Sequence, residues 1–212
     1  MLDSVKIIAV TKPVDDIGID EFVAYVARVS NPQNQTNHET APKLLEYLRK
    51  HNHWSPFEMV NIVMEINTTR DIARQILRHR SFVFQEFSQR YADPTQFGFV
   101  TREARAQDTT NRQNSIEIDD LSLQTQWNML QQQLTRSVED TYDWAISHGI
   151  AKEQARVVLP EGLTISRMYM NGTLRSWIHY CELRMKIGTQ KEHREIATQC
   201  WNNITERFPS LR

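Results

Sequence analysis

Val60, Ile62, Met64 and Ile66 alternate with Asn61, Val63, Glu65 and Asn67, a period of two that sorts side chains onto the two faces of a strand. Thr68 or Thr69 then stands where a helix would be capped. Next in the chain, Arg70-Asp71-Ile72-Ala73-Arg74-Gln75-Ile76-Leu77-Arg78 reads as that helix. A strand running directly into a helix is the firmest constraint this chain offers. It points to a sheet with helices packed on it.

The remaining segments fit such a sheet. Val5 to Val10 is short, apolar and β-branched, with Pro13 beyond it, and predicts a first strand. Ile19 to Arg28 carries Phe22, Val23, Tyr25 and Val26 and predicts a helix with one buried face. Ser30 to Thr40 is polar and reads as a loop. Thr40 then caps a helix with Pro42 in its first turn and Leu44, Leu45 and Leu48 on its inner side. Phe82 to Tyr91 reads as irregular, Phe97 to Thr101 as a further strand, and Arg102 to Ile118 as an exposed polar excursion. A long helix is expected from Asp119 to His148, with Trp127, Leu130, Leu134, Val138 and Tyr142 repeating every three or four residues, the first three as core or oligomer packing, and Gly149 closing it. Two more helices are expected over Thr173 to Lys186 and Lys191 to Phe208. The expected fold is α+β, one domain over residues 1–212 with a β-sheet core and several long helices.

Charge narrows the function classes. The 25 basic and 26 acidic residues leave a net charge of −1, which gives no reason to expect a nucleic-acid-coating protein or a polybasic membrane binder. No stretch approaches the roughly 18 apolar residues of a membrane helix. Two cysteines are too few for a disulfide scaffold. The first residues have neither a basic leader nor a long apolar run, so a cytoplasmic protein is expected.

Arginine outnumbers lysine 18 to 7, so the positions of the arginines matter more than the total. Arg70, Arg74, Arg78, Arg80 and Arg90 crowd into 21 residues with only Asp71 and Glu86 against them. On the helix alone, a solvated face with cations near the C-terminus explains them equally well. The stretch beyond the helix favours a site. Arg78-His79-Arg80-Ser81-Phe82-Val83-Phe84-Gln85-Glu86-Phe87-Ser88-Gln89-Arg90-Tyr91 mixes donors, a carboxylate, hydroxyls and aromatic rings without regular periodicity. That mixture suits an aromatic, phosphorylated ligand.

Arg78-His79-Arg80, seven residues and then Ser88 resembles the signature of the flavin-dependent thymidylate synthases, with Glu86, Arg90 and Tyr91 also in register. His53-Trp54-Ser55-Pro56-Phe57-Glu58 is similar to the family's His-x-x-x-x-Glu stretch, and Ala155-Arg156-Val157-Val158-Leu159-Pro160 to its Ala-Arg-x-x-Leu-Pro element. Thr173-Leu174-Arg175-Ser176-Trp177-Ile178-His179, continuing to Arg184, resembles its C-terminal helix. Thr173 stands where the family usually has Asn, Gln85 where many members have Asn, and the segment before Arg167 is one residue longer.

The resemblance implies reductive methylation of dUMP to dTMP, with 5,10-methylenetetrahydrofolate as carbon donor and NADPH as reductant through FAD. It implies dUMP contacts at Gln75, Arg78, Glu86, Phe87, Ser88, Gln89, Arg90, Arg156 and Arg184, with Arg184 the catalytic arginine that neutralises charge developing on the base. It implies FAD contacts at His53, Ser55, Arg78, His79, Arg80, Glu86, Thr173, Leu174, Arg175 and His179. A homotetramer with active sites between subunits is implied too. Arg175 and His179 share a helix side, whereas Arg184 lies about 180° away, so one helix can address flavin and nucleotide separately.

Other chemistries find less support. No Gly-x-Gly-x-x-Gly or Walker loop occurs, which disfavours a Rossmann-type flavin site. His51, His53 and Glu58 lack the spacing and further ligand of a zinc site. Cys181 and Cys200 are expected to be packed in helices, although Arg184 could activate Cys181 as a nucleophile. His148 and His193 are expected on the surface. The competing reading is an Arg-rich nucleotide- or RNA-binding module without catalysis.

Overall fold

The computed structural model describes residues 4–212. In chain order its elements are β1 (Ser4–Val10), α1 (Ile19–Ala27), α2 (Ala41–Lys50), β2 (Asn61–Thr69), α3 (Arg70–Ile76), β3 (Val83–Glu86), β4 (Arg105–Gln107), β5 (Ser115–Glu117), α4 (Leu121–Ser147), α5 (Lys152–Ala155), β6 (Ile165–Thr173), α6 (Leu174–Arg184) and α7 (Lys191–Arg207). The fold is α+β. Four antiparallel strands form one sheet in the order β1-β2-β6-β3, and β4 and β5 form a separate hairpin.

The two central strands each run straight into a helix, β2 into α3 and β6 into α6. Asn61 pairs with Thr173 and Thr69 with Ile165, so the two helices leave from opposite ends of the sheet. Ile62, Met64 and Ile66 pair with Gly172, Met170 and Met168 and form one fully buried apolar face with them. Ile72 and Ile76 of α3 and Leu174, Trp177, Ile178 and Cys181 of α6 join the same core cluster. The Trp177 indole N–H donates to the Ile62 carbonyl at 3.1 Å, which meets its one polar demand inside the core. Burial of each such large side chain contributes about 1.5–3 kcal/mol.

Several expectations are corrected. Residues 82–91 are not wholly irregular, because Val83–Glu86 pairs with β6 as the edge strand. β6 itself has no counterpart in the sequence reading, since Ser166 and Gly172 stand in its inward row and obscure the apolar alternation. The expected strand at 97–101 amounts to a single bridge, Phe99 to Thr164. Thr40 and Thr69 occupy the cap positions of α2 and α3, but neither hydroxyl caps its helix. The Thr40 hydroxyl accepts from Arg28, and that of Thr69 lies between Asp71 and Arg102.

The polar stretch 102–118 is more than an exposed excursion. Gln131 on α4 accepts from the Arg102 N–H and donates to the Arg102 carbonyl, both at 2.8 Å. Gln124, two turns earlier, does the same to Ala104 at 2.8 Å. Two carboxamides thus replace the missing strand partner of this segment. Further along the same side of α4, Tyr142 and Ala145 pack on Ala155, Val158 and Leu159. Trp127, Leu130 and Leu134 are not core residues, with 42%, 60% and 50% exposure. Gly149 closes α4 at φ 77°, the left-handed conformation that favours glycine.

Candidate active site

α3 and α6 start at opposite ends of the sheet, yet the residues at their C-terminal ends meet. Arg184 Nε donates to His79 Nε2 at 2.9 Å. A guanidinium only donates, so this ring nitrogen is unprotonated and the proton of neutral His79 sits on Nδ1. Burial first, and the Arg184 charge second, hold His79 down to about 4, which keeps the imidazole neutral near pH 7. A sequence-predicted nucleotide residue and a flavin residue are therefore in direct contact.

Beneath them lies a buried polar chain. His193, expected on the surface, is fully buried and bonds Tyr180 Oη through Nε2 at 3.1 Å and Gln75 Oε1 through Nδ1 at 3.3 Å. Burial, then the charges of Arg184 and His79, hold His193 down to about 3. The surface expectation fails because residues 191–207 form a helix whose inner side carries His193, Ile196, Ala197 and Cys200 together. Only the spacing to Ile196 and Cys200 hints at this burial in the sequence.

The arginine run is not one basic surface. Arg70 pairs with Glu86 at 3.2 Å and with Glu161 at 3.7 Å, and Arg74 pairs with Glu161. Glu86 also accepts from Ser166 at 2.8 Å. Arg78 and Arg80 are exposed and stand outside the ion pairs found among the described residues. They are the arginines of the run with charge to spare.

Three predicted nucleotide residues gather beyond β3. Ser88 and Arg90 line a cleft of about 450 Å³ with Tyr91, Ala151, Lys152 and Glu153. Arg90 approaches Glu153 at 3.8 Å, and Arg156 Nε donates to the Glu153 carbonyl at 3.3 Å. Lys152, which the sequence reading did not single out, donates to the Tyr91 carbonyl at 3.1 Å. Its spacing of four from Arg156 is the signal that could have found it. Two lining cations against one carboxylate, with Arg156 bonded to the same Glu153 backbone, suit a phosphate. Phe87 packs edge-on against Phe97 at 4.8 Å, and Gln89 is buried. The lining of this cleft includes neither His79 nor Arg184.

The other predicted flavin residues surround the start of α6. The Thr173 hydroxyl accepts from the Ser176 N–H at 3.2 Å and caps the helix, a role Asn fills equally well. Arg175 pairs with Glu58, and the exposed His179 sits edge-on to Trp54 at 4.5 Å. His53 and Ser55 are exposed nearby in sequence, before and at the start of a short 3-10 turn. The Leu174 side chain is fully buried and its N–H goes to the Val60 carbonyl at 2.8 Å. Arg175 and Arg184 do address different neighbours, Glu58 for one and His79 for the other.

Both thiols are buried and free. Burial and then Cys200 and Glu182 push Cys181 well above the ordinary thiol range, and burial does the same to Cys200. Arg184 does not activate Cys181. No cluster of His, Cys, Asp and Glu able to hold a metal occurs among the described residues, and no described helix is long and apolar enough to cross a membrane.

Comparison with known proteins bears on this geometry. The family model described as thymidylate synthase complementing protein matches residues 14–210. A probable flavin-dependent thymidylate synthase of Paramecium bursaria Chlorella virus 1 is 48% identical over 211 residues, covering 98% of this chain and 96% of that one. A flavin-dependent thymidylate synthase of Synechocystis is 44% identical over 212 residues, again 98% and 96% of the two chains. Among solved structures, the UMP/dUMP methylase PolB of Streptomyces cacaoi bound with 5-Br dUMP superposes with a TM-score of 0.81. It shares 23% identity, with 98% of this chain and 92% of that one covered, so this likeness concerns the fold.

Proposed function

The chain belongs to the flavin-dependent thymidylate synthase family, and we infer that it methylates dUMP reductively to dTMP, with 5,10-methylenetetrahydrofolate as carbon donor and NADPH as reductant through FAD. The contact between Arg184 and His79 carries this reading. Arg184 spends Nε on a neutral imidazole, so it keeps its full charge and both Nη groups for a ligand. A fixed cation at that point stabilises negative charge developing on the uracil ring. Ser88, Arg90 and Arg156 are the nucleotide-phosphate residues in this reading, Lys152 joins them, and Gln75, Arg78, Glu86, Phe87 and Gln89 complete the pocket.

The residues present suit FAD. Arg78 and Arg80 offer unpaired charge to a pyrophosphate, and His53, Ser55, His79 Nδ1 and His179 offer donors to a ring that accepts hydrogen bonds. Glu86, Thr173 and Arg175 frame that surface, and the buried Leu174 anchors the start of α6 beneath it. When bound, FAD supplies the two-electron store through which NADPH reduces the nucleotide's new one-carbon group. His79 orients Arg184 and leaves its own Nδ1–H free for the cofactor side.

We read residues 1–212 as one domain of a cytoplasmic homotetramer. Two features support the tetramer. The phosphate cleft and the Arg184–His79 pair are separate in one chain, so the site is completed when another subunit's cleft faces this pair. Trp127, Met129, Leu130 and Leu134 on α4 are exposed, and Met129 and Leu130 line a groove of about 780 Å³ with Gln126, Gln133 and Arg136, which gives a surface for such contacts. Incubation of FAD-loaded protein with dUMP, methylenetetrahydrofolate and NADPH should yield dTMP and oxidised nicotinamide. Light scattering should give about 100 kDa, four chains of 25.0 kDa. Failure to bind FAD or to form dTMP would overturn the assignment.

A further inference from the structure

Glu192 is buried and bonded by Arg102 at 2.8 Å and by Arg105. Burial opposes its ionisation, but its own backbone N–H and Arg102 outweigh this, and its pKa lies below the usual carboxylate value. An ionised carboxylate only accepts, and this determines the sense of each bond leading away from it. Gln190 must point its NH2 at Glu192, and the distance is 2.9 Å. Its oxygen then faces Gln75, so Gln75 must donate to it through Nε2, at 2.7 Å. The Gln75 oxygen in turn faces His193, whose Nδ1 must carry the proton. The bare Nε2 then accepts from Tyr180 Oη. One carboxylate thus sets the polarity of the whole chain of side chains from Gln190 to Tyr180.

We propose that His193 is a positioning residue that holds the oxygen end of the Gln75 side-chain amide, whose order Gln190 sets, in one place toward the nucleotide. This rests on the reading of Gln75 as a dUMP contact. Gln75 is half-buried, and its bonds to Gln190 and His193 use one N–H and one lone pair. One N–H and one lone pair remain for a ligand, in an order that the chain of bonds fixes. A carboxamide held at its nitrogen alone swings about that bond, and part of the binding energy goes to settling it. His193 does this without touching substrate. Its ring is fully buried, beneath His79 at a centroid distance of 6.3 Å.

The test uses FAD-loaded protein and dUMP titrated calorimetrically into His193→Leu, His193→Asn, Gln75→Ala and the double variant His193→Leu/Gln75→Ala. His193→Leu removes the donor and should weaken dUMP about 5–10-fold, the effect of one hydrogen bond. His193→Asn keeps an N–H near the Nδ1 position and should stay within about twofold of the parent. In the Gln75→Ala background, His193→Leu should add less than about twofold, since the group it orients is gone. Steady-state kinetics should show the loss in KM for dUMP and leave kcat largely unchanged. Nitrogen NMR of histidine-labelled protein should show His193 protonated on Nδ1. Equal weakening with and without Gln75, unchanged affinity in His193→Leu, or an Nε2–H tautomer would each overturn the proposal. If Gln75→Ala binds dUMP normally, the nucleotide reading of Gln75 fails, and the proposal with it. Loss in Gln75→Ala without loss in His193→Leu sinks the positioning role alone.

Discussion

Phe82 lies so close over Gly172 that a Cβ at position 172 would stand 2.4 Å from Cδ1 of its ring. Gly172 sits in β6 opposite Ile62, and Phe82 ends the turn in which its N–H donates to the His79 carbonyl at 3.3 Å. The ring also packs edge-on to Trp177 at 4.8 Å and to Tyr180 at 5.9 Å. The missing side chain at 172 therefore lets the segment carrying His79 sit down on the sheet and reach Arg184.

Gly172→Ala should accordingly destabilise the protein and disturb the site together. Overpacking of this severity costs about 2–3 kcal/mol and lowers Tm by about 5–10 °C for a chain this size. Phe82→Leu added to Gly172→Ala should recover part of the loss, because the smaller side chain relieves the clash. Thermal melts of the two single variants and the double variant give the coupling. Strictly additive effects would show that the ring does not require the glycine.

Arg184→Ala should lower dTMP formation by at least about 100-fold, the usual scale for removing one fixed donor to developing charge. Arg184→Lys keeps a cation but loses the bond to His79 and the planar fork, and should recover only part of that loss. FAD binding, read from flavin absorbance, should survive both changes. Normal turnover in Arg184→Ala would remove the arginine from the mechanism.

Cys181→Ala with Cys200→Ala should leave dTMP formation largely intact. Both thiols are fully buried and held protonated by their surroundings, so neither is poised to attack a nucleotide. The double variant should lose stability through the small cavities it opens, about 1 kcal/mol per site. A folded double variant with no activity would revive a cysteine-nucleophile mechanism.

Local signals in the sequence were sufficient for β2 and for α4 with its closing Gly149, where period and cap agree. The motif residues were legible as a set because Arg78, His79, Arg80 and Ser88 occur in one short stretch. What the sequence hid was long-range. Ser166 and Gly172 mask β6, and glycine is there only because Phe82 returns from 90 residues earlier. Thr69 looks like a cap, yet its hydroxyl is drawn to Asp71 and Arg102. Arg70 and Arg74 look like ligand-binding cations, but Glu161 on a distant loop takes them. His193 looks like a surface histidine until α7 packs its inner side into the core. In each case a partner far along the chain decided what a side chain does.

The two buried histidines make stability depend on pH, with a definite sign. His79 titrates near 4 and His193 near 3 in the folded chain, against about 6.5 when unfolded. The unfolded state therefore binds more protons below about pH 6.5, and stability falls as pH drops from there toward the folded values. Above about pH 6.5 both forms are neutral and this contribution is fully present. Urea unfolding at steps from pH 7.5 to 5 should show the decline before most carboxylates titrate. His193→Leu removes one of the two groups, so its stability should decline less steeply, by up to about one proton's worth of slope. An unchanged slope would mean that His193 takes up its proton inside the folded protein. Burial and the nearby Arg184 charge oppose that, because a second ring proton would place a cation in the core beside the guanidinium.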